Sequence, residues 1–550
     1  MRRHALWPPT ILGILAGAVG VISIVSALTP ALANRSDLVQ GVLPPGIPEA
    51  AKWTALAFGL ALVWLAGSLM RGKRRAWQLA VVLVAGVAIA HLAKGLDAEE
   101  ATAALALLLA LVRYRKHFGV AGDPDTRPLV LTGLALASLV GVFLLYSLND
   151  KALPEDIVDL GTATVTLLGF RALYLWLRSW RERERPTAAD RALVRELVER
   201  HGHDTLSYFA LREDKSYFFS AGRRSFLAYT VLGGSALVSS DPVGDPAEFP
   251  ALLESFRKMA RGRGWRVAIL GASGALLPLY QSAGFFAIKV GDEAVVRPEA
   301  FSLEGRRVRK VRQSVNRLRR EGYSVAVLEE REAGPVLREE LRQVSDEWRG
   351  SRPERGFTMA MDELFGHSGT LFVVARDASG EVGGFLHLVP SPASGGYSLS
   401  AMRRRRETPN GLMEFLIVEA IAWTRAHGVP EISLNFCVFA DLLREREGRS
   451  PAGRVARRGL QSLDRVFQLE RLLSFTGKFF PEWRPRFLCV ERLSDLPLVG
   501  IAYLRAESLL SPPRPWARPR AGGDPVRRST PRFPGRPRRR TRSARRAGGP

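Results

Sequence analysis

Two patterns of apolar and polar positions divide this chain. Up to about residue 180 the apolar positions form long, nearly uninterrupted runs; beyond it they recur in short alternating or helical periods. The runs are TILGILAGAVGVISIVSALTPAL, WTALAFGLALVWLAGSLM, AWQLAVVLVAGVAIAHLA, ATAALALLLALV, PLVLTGLALASLVGVFLLYSL and IVDLGTATVTLLGFRALYLWL. A helix needs about 20 apolar residues to cross the hydrocarbon of a bilayer. Four runs are long enough to span, the third just is, and the fourth is short. Residues 1–180 are therefore predicted to form a multi-helical membrane domain of about six transmembrane helices. The first run is read as a span and not as a cleaved signal, because further spans follow it.

From Thr187 to about Leu498 the pattern predicts mixed α/β structure. Helical periods at 190–201, 248–262, 334–348 and 410–427 alternate with strand-like runs such as SYFF, SFLAYTVLGGSALVSS, WRVAILGA, FFAIKV, TLFVVARD, VGGFLHLVP and EISLNFCVFA. Two α/β units are expected, over residues 187–300 and 323–498, with residues 301–322 between them.

Charge orients the membrane half. Arg2 and Arg3 precede the first run, RGKRR (71–75) follows the second, RYRKH (113–117) follows the fourth, and Arg178, Arg181, Arg183 and Arg185 follow the sixth. The other loops carry acids such as Asp97, Glu99, Glu100, Glu155 and Asp156. The positive-inside rule then places both ends of a six-span bundle, and the α/β half, in the cytosol. The spans lack the paired intramembrane charges that mark an ion pathway, which favours an anchor or lipid-access platform over a transporter.

The net charge of +25 is concentrated in part at the end of the chain. Residues 511–550 are mostly Arg, Pro and Gly, a composition expected to stay disordered; anionic lipid, RNA and plain solvent remain alternative surroundings. Two distant cysteines exclude a disulfide scaffold, and scattered histidines offer no metal spacing.

The stretch GRRVRKVRQSVNRLRREGY (305–323) holds eight Lys and Arg. It is predicted to be a helix starting after Ser302 and ending at Gly322. Val308, Val311, Val315 and Leu318 form one apolar stripe, and Arg306, Arg309, Lys310, Arg317 and Arg320 fall on the opposite face. Such a face suits phosphate contacts or simply solvent. Nothing like a helix-turn-helix precedes it, so DNA is not an expected partner.

DTLSYFALREDKSYFFS, SSDPVGD, GDEAVV, SDEWRGSRPERGFTM, AMRRRRETPNGLMEFLIVEAIAWTRAHG and FTGKFFPEWRPRFL follow in order over roughly residues 190–492. Together they resemble the multiple peptide resistance factor family, the phosphatidylglycerol aminoacyltransferases. The resemblance implies two tandem GNAT-like units joined by the basic helix, the second unit being catalytic. It implies transfer of an amino acid from aminoacyl-tRNA to a glycerol hydroxyl of phosphatidylglycerol, giving resistance to cationic antimicrobial peptides. LYQSAGFF (279–286) looks like the close of a GNAT unit, but an intact pyrophosphate loop of the acetyl-CoA-dependent kind is missing. No cofactor or metal is expected.

The resemblance also assigns candidate residues. Lys478, Arg403 and Glu354 are the expected catalytic group: a cation for lipid phosphate or developing negative charge, a donor-site arginine, and a ligand for the donor's amino group or a general base. Arg486, Trp483, Ser400, Asn410 and Arg405 are expected to line the lipid or donor site, although Asn410 also reads as a helix cap and Arg486 and Trp483 as purely structural. The basic face of the 301–322 stretch is expected to dock tRNA. Ser400 stands where lysyl-transferring members carry an acid, which leaves lysine favoured and alanine next. Diacylglycerol as acceptor, and a non-catalytic lipid- or RNA-binding protein, are the alternatives.

Overall fold

The structure, a computed structural model, describes residues 8–29, 47–95, 98–148, 155–182, 185–350, 356–438 and 469–508. Residues 511–550 and Glu354 lie outside the described residues. Each apolar run is helical: α1 (Pro8–Leu28), α2 (Ile47–Leu69), α3 (Arg74–Gly95), α4 (Ala98–Arg113), α5 (Arg127–Leu148) and α6 (Glu155–Leu177). Within them, Pro8–Leu28, Ala50–Leu69, Arg74–Leu92 and Ile157–Leu177 are long and apolar enough to cross a membrane. At 16 residues α4 is short for a span. Helices α1 and α2 pack backbone to backbone, since a Cβ on Gly20 would stand 2.6 Å from the Gly59 carbonyl oxygen. That close approach is the usual reason for small residues at a helix interface in lipid. Leu131, Leu160, Leu167 and Phe170 keep about two-thirds of their surface exposed, as lipid-facing side chains do. The chain is a multi-pass membrane protein.

The basic loops gather at the end of α6, where the chain passes to the α/β half. Lys73 Nζ donates to the Leu177 carbonyl (2.8 Å), Arg75 Nη1 to that of Trp176 (2.9 Å), and Arg178 pairs with buried Asp123 (2.6 Å). The chain leaving α6 then docks, Ser179 Oγ donating to Gly264 O and Trp265 Nε1 to Trp180 O. Because these Lys- and Arg-rich ends are the cytosolic ones, the α/β half is cytosolic.

That half is built on strands β1 (Ser216–Phe219), β2 (Ser225–Leu232), β3 (Ser235–Ser239), β4 (Val243–Gly244), β5 (Arg266–Ser273), β6 (Phe286–Val296), β7 (Ser324–Glu329), β8 (Leu371–Arg376), β9 (Val382–Ser391), β10 (Gly396–Arg404), β11 (Ile432–Val438) and β12 (Glu482–Val490). Among the described residues they form one sheet ordered β1-β2-β3-β5-β12-β6-β11-β10-β9-β8-β7, with β4 beside β2. Two neighbouring pairs are parallel, β3 with β5 and β10 with β11; the other neighbours are antiparallel. The last strand, β12, returns to lie between β5 and β6.

Around the sheet lie α7 (Ala188–His201), α8 (Phe249–Gly262), α9 (Leu277–Ser282), α10 (Arg309–Arg320), α11 (Pro335–Arg349), α12 (Leu412–Ala426), α13 (Leu469–Thr476) and α14 (Leu496–Ala506). Helix α10 is the basic helix, shorter than expected: Gly305 adopts φ 89°, and Val308 is the N-cap residue. Its stripe is as the periodicity predicts: Val308, Val311, Val315 and Leu318 are buried, the last three in a core shared with α12 and the sheet. Burial of each such side chain contributes about 1.5–3 kcal/mol.

Candidate active site

Helix α12 positions the first group. Gly411, its N-cap residue, has φ 92°, and a Cβ there would lie 2.7 Å from Ser314 of α10. Glycine therefore lets α12 begin hard against α10. The carbonyl of Asn410 accepts a hydrogen bond from Arg317 Nη2, so Asn410 joins the two helices through its backbone. Leu412, Phe415, Leu416 and Ile417 face the core, which leaves Glu414 in the first turn beside the site. An acid is favoured at a helix N-terminus by the unpaired N–H groups there.

Glu414 Oε1 lies 2.7 Å from Lys478 Nζ, and that ammonium also stands 5.2 Å from the ring centre of Phe475. Lys478 sits in a short turn, Gly477–Phe479, anchored by fully buried Phe479. The next residue, Phe480, is half-exposed and adopts left-handed φ 52°, ψ 50°. That conformation costs a non-glycine residue about 1–3 kcal/mol. Trp483 then enters β12 opposite Ala294. A cleft of about 390 Å³ opens here, lined by Phe301, Arg307, Val308, Phe479, Phe480 and Glu482. It links the foot of the basic helix to the turn that bears Lys478.

Arg403 and Ser400 form a second station, on β10. The guanidinium of Arg403 is buried over the indole of Trp348 (5.5 Å) and donates to Ser345 Oγ of α11. Ser400 flanks a bulge between Leu399 and Ala401, and its Oγ accepts from Met361 N (3.0 Å). Arg405 is tied by Nε to Val382 O (2.8 Å) and by ion pairs to Glu347 and Glu381. Lys478 thus packs against α12, and Arg403 against α11.

Arg486 occupies the middle of the sheet, and its side chain is 5% exposed. It meets Asp204 (2.6 Å) and Glu293 (2.5 Å), and also donates to Thr205 Oγ1 and Gly271 O. Those charges hold the guanidinium protonated against the cost of burial. Its N–H groups are all taken up inside the protein. Nearby, Asp241 accepts from Tyr280 Oη (2.7 Å), and burial beside Asp204 raises its carboxyl to about 6.

Arg309, Lys310, Arg317 and Arg320 on α10 are exposed, as is Arg306, which the late start of the helix leaves in the turn before it. Arg317 nevertheless serves Asn410 and Glu321, and Arg320 bonds its own helix at Asn316 O. The residues not foreseen are Glu414, Asp204, Glu293 and Phe480. Glu414 had a usable signal, an acid in the first turn of an expected helix. Asp204 and Glu293 lie in DTLSYF and GDEAVV, yet their meeting at Arg486 joins segments 282 and 193 residues away.

These features belong to a recognisable class. Residues 195–490 match the family described as phosphatidylglycerol lysyltransferase, C-terminal, and the chain belongs to that family, as its ordered motifs imply. Among individual relatives, the lysylphosphatidylglycerol biosynthesis bifunctional protein LysX of Rhodococcus opacus is 32% identical over 93% of this chain and 50% of its own length. The protein of the same name from Mycobacterium avium is 30% identical over 92% and 47%. The chain thus spans about half the length of the curated relatives it matches. Two solved structures share its α/β fold. L-PGS from Bacillus licheniformis aligns with TM-score 0.53 and 25% identity over 60% of this chain and 99% of that one. The C-terminal domain of an Agrobacterium fabrum protein described as a lysylphosphatidylglycerol synthetase aligns with TM-score 0.51 and 29% identity, over 57% and 96%.

Proposed function

We propose that the protein is an aminoacyltransferase acting at the cytosolic face of the membrane. It moves an amino acid from the 3′ ester of aminoacyl-tRNA to a glycerol hydroxyl of phosphatidylglycerol. The observation that carries this reading is the cleft between the foot of the basic helix and Phe479 and Phe480, next to Lys478 in the chain, in a family member anchored in the membrane. The ester bond to the tRNA ribose breaks, a new ester bond forms to the lipid oxygen, and the glycerol proton ends on the ribose hydroxyl. Ester replaces ester, so the step needs no ATP. Lys478, oriented by Glu414, stabilises the oxyanion or the lipid phosphate, and Arg403 with Ser400 shapes the donor pocket. Glu354 is proposed to bind the donor's amino group or to act as general base. Lysine is the favoured amino acid, as the relatives' names suggest, and alanine is next because Ser400 is not an acid. The parallel pairs β3/β5 and β10/β11 support a reading as two GNAT-like units, residues 187–300 and 323–498, bridged by 301–322.

The test is lipid analysis of a host lacking aminoacylated lipids after expression of the chain. Mass spectrometry is expected to find lysyl- or alanyl-phosphatidylglycerol, and Lys478→Ala to cut it about 100-fold, as loss of an oxyanion-stabilising group does. An inserted, folded chain that yields no new lipid would sink the reading.

A further inference from the structure

Where the membrane helices meet the sheet, four cations converge. Arg71 and Lys73 lie in the loop between α2 and α3, Arg266 opens β5, and Arg492 follows β12. Lys73 and Arg266 are buried (5% and 7% exposed), while Arg71 and Arg492 remain partly open. Asp495 is the carboxylate among them, 3.4 Å from Arg266 Nε. Neighbouring Glu491 is already engaged by Arg257 and Arg261. The cations' other partners are weak or neutral: Ser68 Oγ for Arg71 (3.3 Å), Leu177 O for Lys73, Gly233 O for Arg266 (3.4 Å) and Met70 O for Arg492 (3.2 Å). The Nε–H group of Arg71 is buried with no hydrogen-bond acceptor, and that of Arg266 faces only the Asp495 carboxylate at 3.4 Å.

Such an arrangement is costly as it stands. Buried cations need counter-charge, and a buried donor without an acceptor loses the full cost of its desolvation. Burial and mutual repulsion press the Arg71 guanidinium down to about 10 and the Lys73 ammonium down to about 7. An anion with several acceptor oxygens suits such a cluster, because guanidinium groups bind it in forked geometry. Its place is set by the chain: the loop leaves α2 at Leu69 and re-enters α3 at Arg74, at the cytosolic boundary of the bilayer, where lipid phosphates lie.

We infer that this joint binds the headgroup phosphate of an anionic phospholipid, with Arg71, Arg266 and Arg492 as donors, so that lipid completes the contact between the membrane helices and the sheet. The joint shares no residue with the lining of the cleft beside Lys478, and it does not depend on the transferase reading.

The full chain in nanodiscs decides the matter by its thermal unfolding midpoint. Replacing part of the phosphatidylcholine by phosphatidylglycerol is expected to raise the midpoint by about 3 °C or more. Arg71→Gln and Arg492→Gln are expected to lose most of that gain while staying at least as stable as the parent in pure phosphatidylcholine, because each removes a like charge. Exposed Arg200→Gln is expected to keep the gain. The inference is overturned if the parent shows no gain, if the two joint variants keep it, or if Arg200→Gln loses it equally. It is overturned also if inorganic phosphate reproduces the gain in phosphatidylcholine nanodiscs, since the site would then take free phosphate.

Discussion

At the scale of single residues, burial decides which charged groups hold the fold and which remain for chemistry. Arg486 and Lys478 come from one motif, yet Arg486 is enclosed by two carboxylates and Lys478 stands at the surface with one. Removing one partner of a buried ion pair costs about 3–5 kcal/mol, whereas an exposed pair contributes about 0–1 kcal/mol. Lys478 is thus free to change partner during a reaction, and Arg486 is not. Asp241 gives this contrast a pH signature. Burial beside Asp204 raises its carboxyl from the usual 3.8 to about 6 in the folded protein. Between about pH 4 and 6 the folded state therefore holds a proton that the unfolded chain has released. Its contribution to stability is full below that window and is lost as pH rises through 6. Asp241→Asn keeps an acceptor for the Tyr280 hydroxyl but cannot titrate. The melting temperature of the parent, measured against this variant, should fall between pH 5 and pH 7; a constant difference would remove Asp241 from the account. None of this was legible in the sequence, where Asp204, Asp241 and Glu293 are ordinary acids in separate segments. Only the assembled sheet brings them to Arg486.

At the scale of elements, amphipathic periods were readable and tertiary commitments were not. The apolar stripe of α10 follows from spacing alone, as do the bounds of α7, α8, α11 and α12 to within two residues. The strand β12 escaped because Pro485 argues against a central strand, lacking the N–H that a ladder needs. It is accommodated beside a register shift at Arg486 and Phe487, opposite Asp292 of β6. On α10, spacing groups Arg317 with the outward cations, but the packing of Gly411 on Ser314 brings the Asn410 carbonyl within its reach. Arg312 and Arg319 are likewise engaged, with Leu303 O and Glu419. Arg306, Arg309 and Lys310 make no ion pair among the described residues, so they are the group to reverse. Changing all three to Glu is expected to weaken aminoacyl-tRNA binding at least 10-fold at low salt. It should also reduce the slope of log affinity against log salt by about 2–3, since each lost phosphate contact contributes about 0.7–0.9. Filter binding across a salt series measures both. An unchanged slope would leave α10 as a solvated connector.

At the scale of the whole molecule, the exchange of strands decides how the α/β half can be divided. A boundary near residue 300 suits the linear sequence, but β6, from before it, lies against β11 and β12, both from after it. The cores are shared in the same way. Cys489 packs with Leu227, Phe256 and Ile269, while Phe357, Val490 and Val499 pack with Leu237 and Leu270. Without β12, strands β5 and β6 would stand about 10 Å apart, two strand spacings, with facing rows of unpaired N–H and C=O groups. They cannot simply close up, because α8 and α9 are packed against the present spacing. Residues 1–304 and 305–508, produced separately, should therefore each aggregate or fall to protease, whereas co-expression should return a stoichiometric, protease-resistant complex. Recovery of a stable, cooperatively melting 1–304 fragment on its own would mean that β12 is an accessory to that core and not part of it. The same exchange accounts for the position of the candidate site. The turn bearing Lys478 is fixed on one side by α12, through Glu414, and on the other by β12, so the strand exchange must be in place before that turn can border the cleft.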